Sequence, residues 1–364
     1  MKKVLFGITS LTLGGAERVL VDLANKLCNK YEITIFTIYA KGELEKELNK
    51  DIKLESLYNK RYDELTKLQK YTIPLKVLLG KKAIYNKYIR NKYDTEIAFL
   101  EGPINRLFSV KNTNTKKIVW IHNDISKVFG NSIKSKIKKL IDKKIYNKYN
   151  QLVFVSKDNL DKFEKVYPKN NMKKVVIYNY IDKQKVIEKA EEKTEVEFNE
   201  NDINFVTVTR LVEQKGIDRL IEVHKKLIDN KLYHKFYVIG DGPEREKLEN
   251  MIKKEGIGET FILLGKLDNP YPYIKNANYF CLLSKFEGYG MVIEEAKILN
   301  KPVIITDTAA REAVKEYENS MILENSEKGI YEGIKSIIEK GFKEKEITIK
   351  YNNEGILGQV EKII

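Results

Sequence analysis

The sequence predicts an α/β protein of two doubly wound, Rossmann-like domains, and three observations carry that reading. Short apolar runs recur along the 364 residues, most of them ending in a polar or glycine-containing turn and followed by a helical pattern. That length exceeds one comfortable hydrophobic core. A polar, highly charged stretch from Asp182 to Asn201, with few apolar anchors, separates two such series. The domains are therefore placed at 1–182 and 183–364, with a final helix at about 351–364 free to pack back on the first domain.

Composition narrows the class. Apolar residues make up 42% and aromatics 10%, which is ordinary for a globular chain and argues against disorder. Cys28 and Cys281 are the only cysteines, each in an apolar segment, as expected of reduced core thiols in a cytosolic protein. No window approaches the ~20 apolar residues that span a bilayer. The start, M-K-K-V-L-F-G-I-T-S, runs straight into a strand pattern, so no signal peptide is expected. The net charge of +14 is unevenly placed: residues 1–182 carry 37 Lys and Arg against 19 Asp and Glu, and the rest 29 against 33. All the excess cation lies in the first half, which suits a domain facing something anionic.

Taken in order, Lys3–Ile8 is a strand, a helix runs from about Ala16 to Cys28, and Tyr31–Tyr39 is a second strand. That βαβ unit implies a parallel sheet. Gly14 and Gly15, in the first turn, either let the backbone approach a ligand or merely tighten the turn; the dinucleotide pattern G-x-G-x-x-G is absent. Residues 60–92 carry ten Lys or Arg and two Asp or Glu, and predict a helix or helical pair broken near Pro74. Thr95–Leu100 is a strand ending in Glu101-Gly102-Pro103, and Lys117–Ile121 one ending in His122-Asn123-Asp124. Between 127 and 148 lie eight Lys and one Asp, with Ile133, Ile137, Leu140, Ile141, Ile145 and Tyr149 at helical spacing. This is either a scaffold helix with a solvated back or an amphipathic surface for anionic lipid. Strands follow at Gln151–Val155 and at Lys174–Tyr178, the latter leading to Asn179.

The second series has strands at Ile203–Thr209, Lys235–Ile239, Phe261–Leu264, Tyr279–Leu283 and Lys301–Thr306, and a helix over 326–340. Its most informative stretch is Ser284–Pro302, S-K-F-E-G-Y-G-M-V-I-E-E-A-K-I-L-N-K-P. Helical phase puts Val292, Ala296 and Leu299 inward and Glu295 at the edge of that face, with Glu294 nearly opposite, so replacing Glu294 should be mild. Glu287 precedes the helix, beside backbone N–H groups that lack an intrahelical partner. The stretch is either a capped surface helix or a holder for a phosphorylated ligand. Arg210 and Lys215, five apart across a strand-to-helix loop, are either two surface cations or a pair turned to neutralise a diphosphate. Of three histidines, His224 and His234 lack metal-ligand spacing, whereas His122 ends a strand, where parallel sheets gather ligands. No hydrolase, P-loop or zinc motif is present.

The ordered set G-G-A-E-R-V-L, W-I-H-N, V-S-K, V-I-Y-N-Y-I-D, T-R-L-V-E-Q-K-G, V-I-G-D-G-P-E-R and F-E-G-Y-G-M-V-I-E-E-A resembles the retaining, nucleotide-sugar-dependent glycosyltransferases of family 4. The resemblance spans nearly the whole chain and implies the GT-B fold, two Rossmann-like domains facing across a cleft that closes on the donor. It implies a nucleotide diphosphate sugar as donor, uridine-linked, and no catalytic metal or other cofactor. By resemblance Arg210 and Lys215 hold the donor diphosphate, Glu287 the donor sugar and Glu295 the ribose hydroxyls. The amides of Gly290, Met291 and Val292 meet sugar and phosphate, Gly14 and Gly15 lie near the diphosphate and acceptor, His122 beside the donor sugar, and Asn179 at an interdomain strand end. Members with similar G-G-A-E-R and F-L-E-G stretches build bacterial surface polysaccharides or lipid-linked oligosaccharides. The partners so implied are a lipid-linked saccharide acceptor and an anionic membrane, with a cytoplasmic protein peripheral on its inner face. Asp307-Thr308-Ala309-Ala310-Arg311-Glu312 departs from the family's glycine-rich stretch, so Arg311 either reaches the sugar pocket or closes it. Two other classes fit less well. A GT-B epimerase or phosphorylase would need other carboxylates or a cofactor lysine. A nucleic-acid module has only the basic pI of 9.2 in its favour, with no reading motif.

Overall fold

The computed structural model describes residues 1–90, 92–125, 133–199, 201–342, 345 and 352–364, with backbone alone at 133–138. They form two compact units, one of Met1–Ile181 with Asn352–Ile364 and one of Asp182–Tyr351.

The first unit runs β1 (Lys3–Ile8), α1 (Gly15–Leu27), β2 (Glu32–Tyr39), β3 (Lys53–Tyr58), α2 (Lys67–Tyr88), β4 (Thr95–Ala98), α3 (Pro103–Phe108), β5 (Lys116–Ile121), α4 (Ile133–Tyr146), β6 (Gln151–Phe154), α5 (Lys157–Val166) and β7 (Lys173–Val176). Its seven strands are all parallel in the order β3-β2-β1-β4-β5-β6-β7. The order reverses between β1 and β4, so the loops after those strands diverge and leave a crevice at the carboxyl edge. The sheet core is Val4, Phe6, Ile35, Ile97, Val119 and Phe154, all buried.

The second unit runs α6 (Lys183–Lys189), β8 (Asn204–Val208), α7 (Ile217–Asp229), β9 (Lys235–Ile239), α8 (Arg245–Glu255), β10 (Phe261–Gly265), α9 (Tyr271–Asn276), β11 (Tyr279–Leu282), α10 (Met291–Ile298), β12 (Val303–Thr306), α11 (Arg311–Val314), β13 (Ser320–Leu323) and α12 (Glu327–Lys340). Its six strands are again all parallel, β10-β9-β8-β11-β12-β13, with the reversal between β8 and β11. Asp182 caps α6, accepting from Lys185 N at 3.3 Å, so the polar stretch after Ile181 opens with a helix of the second unit. The last helix, α13 (Asn353–Ile363), belongs to the first unit: Thr95 Oγ1 donates to Ile364 O at 3.0 Å and Lys30 pairs with Glu361 at 2.7 Å.

Two sequence expectations in the first unit need correction. Helix α2 runs through Pro74 unbroken. A capping box, Thr66 with Gln69, starts it, and Ile73 and Val77, both buried, anchor it on either side of the proline, which outweighs the lost N–H. In α4, Ile145 is buried with Tyr149 beyond it, but Leu140 and Ile141 are exposed, so the expected inward stripe ends short of them. Ile133 and Ile137 carry no described side chain, and the first part of the basic stretch, 127–132, lies outside the described residues.

A buried ion pair ties α2, β4, α3 and β5 together. Lys117 Nζ donates to Glu96 Oε2 at 2.9 Å, to Tyr85 OH at 3.0 Å and to Phe108 O at 2.7 Å, while Tyr85 OH donates to Glu96 Oε1 at 2.6 Å. Burial pushes the Glu96 carboxyl up and the Lys117 ammonium down, each opposed by its partner. Removing one partner strands the other charge. Lys117→Met is expected to destabilise the first unit by about 3–5 kcal/mol, and adding Glu96→Leu to recover at least half of that loss. Urea unfolding followed through Trp120, the only tryptophan, measures it.

The second unit holds a one-way hydrogen-bond chain. His234 Nδ1 lies 2.7 Å from Leu232 O and must donate to it, leaving Nε2 to accept from His224 Nδ1 at 2.9 Å. His224 Nε2 then accepts from Thr260 Oγ1 at 2.8 Å. Both rings are buried and must be neutral; desolvation pulls His224 to about 3 and His234 to about 4. Their folded values lie below the unfolded value of ~6.5, so the unfolded chain takes up more protons as pH falls. Stability is therefore full above pH ~6.5 and declines on acidification at up to roughly 1.4 kcal/mol per pH unit per ring. Melting followed by circular dichroism should show the fall between pH 7 and 5, and His224→Phe should make it shallower.

Candidate functional site

In the second unit the loops diverging at the β8–β11 reversal carry the charged groups. The loop after β8 holds Arg210 and a 3-10 turn, Glu213–Lys215, before α7; the loop after β11 holds Ser284–Gly290 before α10. Backbone and amide bonds stitch the two loops. Lys285 N donates to Gln214 O at 2.9 Å and Gln214 Nε2 to Phe286 O at 3.0 Å. Arg219 Nη2 donates to Leu283 O at 2.8 Å and to Asn325 Oδ1 at 2.7 Å. This stitching brings Lys215 Nζ against Glu287 Oε2 in a largely buried ion pair. Glu287 Oε2 also accepts from Ser284 Oγ at 3.1 Å, and Oε1 from Gly288 N at 3.2 Å. Lys215 and Glu287 are thus brought together, whereas Arg210 stands exposed on the same loop.

Glu287 does not cap the following helix. Gly290 is the N-cap of α10, with φ +75° and no side-chain cap, so Met291 and Val292 open the helix behind a glycine. A Cβ at Gly290 would sit 2.9 Å from Ile293 Cδ1. Glu295, half-buried, accepts from Tyr271 OH of α9 at 3.3 Å. Here the phase argument for α10 fails. Glu294 is buried, accepting from Tyr289 OH at 2.7 Å and pairing with Lys297 at 2.9 Å, while Val292 and Leu299 are only half-buried. The cause is that α10 packs on the sheet and on α6, α9 and α11 together, so it has no single inward face. Replacing Glu294 removes a buried carboxylate that Tyr289 and Lys297 satisfy, and is expected to cost stability. Arg311 is held at the surface by Asp307 at 3.0 Å.

A third loop, Gly240-Asp241-Gly242, fixes the backbone around Arg210. Leu211 N donates to Asp241 O at 3.0 Å and Glu244 N to Leu211 O at 3.2 Å. Gly240 has φ +138°, and a Cβ there would fall 1.8 Å from Thr209 O. The sequence shows this G-D-G turn, but only the approach of the two loops reveals what it supports.

In the first unit, Gly14 precedes α1 with no side-chain cap, and Gly15 is exposed at its start. Asn179 is buried just beyond β7. His122 follows β5 with its ring 5.0 Å from that of Phe99. Its Nε2 is buried with no hydrogen-bond partner among the described residues, and desolvation pulls the ring to about 3, so it is neutral. Sequence reasoning missed Glu101. From the end of β4 it clamps the turn after His122, accepting Asn123 N at 2.8 Å and Asn123 Nδ2 at 2.9 Å. Burial pushes its carboxyl up to about 7, against the pull of those bonds. The only signal was its place at a strand end.

Known proteins share this fold. Residues 13–185 match the model of Glycosyltransferase Family 4, and residues 188–355 that of Glycosyl transferases group 1. The chain belongs to the glycosyltransferases of family 4. Over 353 residues it is 27% identical to the N-acetylgalactosamine-N,N'-diacetylbacillosaminyl-diphospho-undecaprenol 4-alpha-N-acetylgalactosaminyltransferase of Campylobacter jejuni, covering 93% of this chain and 91% of that protein. It is 29% identical over 207 residues to an uncharacterized glycosyltransferase of Methanocaldococcus jannaschii, 56% of this chain and 51% of that protein. The crystal structure of Anabaena HepE in complex with UDP and glucose superposes with a TM-score of 0.73 at 19% identity, covering 100% of this chain and 97% of the other. This glycosyltransferase therefore has the GT-B fold.

In this glycosyltransferase Gly240→Ala forces Thr209–Leu211 to move. It is expected to lower the melting temperature and to cut glycosyl transfer at least about tenfold, since strain of this kind costs about 1–3 kcal/mol. Unchanged turnover would show that the turn does not set the position of Arg210.

Proposed function

We propose that this glycosyltransferase moves a sugar, with retention of anomeric configuration and without a metal, from a UDP-sugar to a hydroxyl of a lipid-linked saccharide. The work is placed at the inner face of the cell membrane, in building a cell-surface glycan. The observation that carries the reading is the Lys215–Glu287 pair at the β8–β11 reversal, beside the start of α10. Without ligand the two charges neutralise each other. A diphosphate draws Lys215 and Arg210 to itself and frees Glu287 to accept from the donor sugar's hydroxyls. The first amides of α10, Gly290 to Val292, add partial positive charge where the phosphate and sugar lie. Glu295 takes the ribose hydroxyls, with Tyr271 steadying one oxygen.

In the reaction the bond from the anomeric carbon to the diphosphate oxygen breaks, and one from that carbon to the acceptor oxygen forms. The departing phosphate takes the acceptor's proton, and the two cations hold the charge that builds on it. In the first unit Gly14, Gly15 and Asn179 keep the roles the family resemblance gives them. His122, neutral and with Nε2 unspent, offers that atom to a sugar hydroxyl. HepE with UDP and glucose supports a uridine donor, and the Campylobacter jejuni relative, named for a diphospho-undecaprenol substrate, supports a lipid-linked acceptor.

A panel of nucleotide sugars, screened by thermal shift and then by product mass, identifies the donor. With that donor, Lys215→Ala and Glu287→Gln should each lower kcat by about 10²–10³ while circular dichroism shows the fold intact, the melting temperature falling because each change strands its partner's charge. Near-native turnover in either would remove that residue from the site.

A further inference from the structure

We propose that the outward face of α2 inserts into the headgroup region of an anionic lipid bilayer. The proposal rests on the reading above for its purpose, because a lipid-linked acceptor lies in such a bilayer, but its observations are independent of the donor site. Leu68, Tyr71, Leu75 and Leu79 recur every three or four residues along α2 and are 73%, 86%, 54% and 76% exposed. They form one stripe, opposite the buried Ile73 and Val77. The helix is thus apolar on two opposite faces, which is why its sequence shows no single amphipathic side. One stripe holds the domain together. The other covers nothing within the described chain.

Charge identifies what covers it. Across its 22 residues α2 carries Lys67, Lys70, Lys76, Lys81, Lys82 and Lys87 and no Asp or Glu. Lys67, Lys76 and Lys82 are exposed along the stripe. Lys81 is pulled down by burial and by the nearby cations Lys148, Arg106 and Lys82, a crowding that an anion relieves. Lys148 follows the end of α4, which also exposes Leu140 and Ile141. A second copy of the chain would set one lysine-rimmed face against another. Nucleic acid would meet the lysines but gain little from four bulky apolar side chains. A bilayer of anionic lipid satisfies both the leucines and the lysines. The helix lies on the surface rather than through it: no helix among the described residues is long and apolar enough to cross a membrane.

The test uses the full chain and vesicles of phosphatidylglycerol with phosphatidylcholine, or of phosphatidylcholine alone. Wild type should sediment with the anionic vesicles, less so as salt rises, and Leu75→Glu/Leu79→Glu should bind at least tenfold more weakly. A Leu75→Trp variant keeps the face apolar, and its emission should shift to the blue when anionic vesicles are added, since the native Trp120 is already buried. Thermal shift by UDP reads the second unit separately and should be the same in wild type and both variants. If UDP shifts none of them while vesicle binding still depends on Leu75 and Leu79, the docking face stands and the donor reading fails. Equal sedimentation of wild type and the double variant, an unshifted Leu75→Trp emission, or a solution dimer that the double variant dissolves would each overturn the proposal.

Discussion

The pairing of β8 with β11 is the constraint on which the second unit depends. It is the one place in a parallel sheet of this order where the loops that follow two neighbouring strands part in opposite directions. Arg210, Lys215 and Glu287 all grow from those loops. Lys215 and Glu287 are separated by 72 residues of sequence yet form an ion pair, because Gln214, Lys285, Phe286, Arg219 and Asn325 bind one loop to the other. The pairing keeps each charge from standing uncompensated in a largely buried place.

Rigidity around the pair comes from backbone rather than from large side chains. The Gly240–Gly242 turn presses on the carbonyls of Thr209 and Leu211, and Gly290 turns the chain into α10 with no side-chain cap. The first unit uses another device at its own strand ends. Glu101 reaches across from β4 to hold Asn123, and Asn159, at the start of α5, donates to the carbonyl of Asn123 at 3.1 Å. The residue between β5 and that clamp is His122, so the backbone that carries its ring is held on the far side by Asn123.

Much of this was legible in the sequence, for identifiable reasons. The strands are short apolar runs with polar ends, and all of them except β3 and β13 can be found that way. Those two lie at sheet edges, where Lys53, Glu55 and Ser320 dilute the pattern. The charged residues of the candidate site were visible because they sit in or beside strand-end loops within family motifs. Helix α10 was misread because phase assumes one buried face, and this helix is packed on several sides. Pro74 was read as a break because propensity ignores the anchors on either side of it. Glu101 and the His224–His234 chain were out of reach, since each depends on a partner that the fold alone brings close. The outer stripe of α2 was hidden for a related reason. Its lysines were plain, but which of its leucines face solvent is decided by tertiary packing.

The central claim is that Lys215 gives up Glu287 for a diphosphate. Calorimetric titration of the wild-type protein with UDP and, separately, with uridine tests it most directly. The account predicts that UDP binds at least about a hundredfold more tightly than uridine, as charge-assisted bonds to the diphosphate require. Equal affinities for the two would mean that the pair at the β8–β11 reversal does not receive a diphosphate.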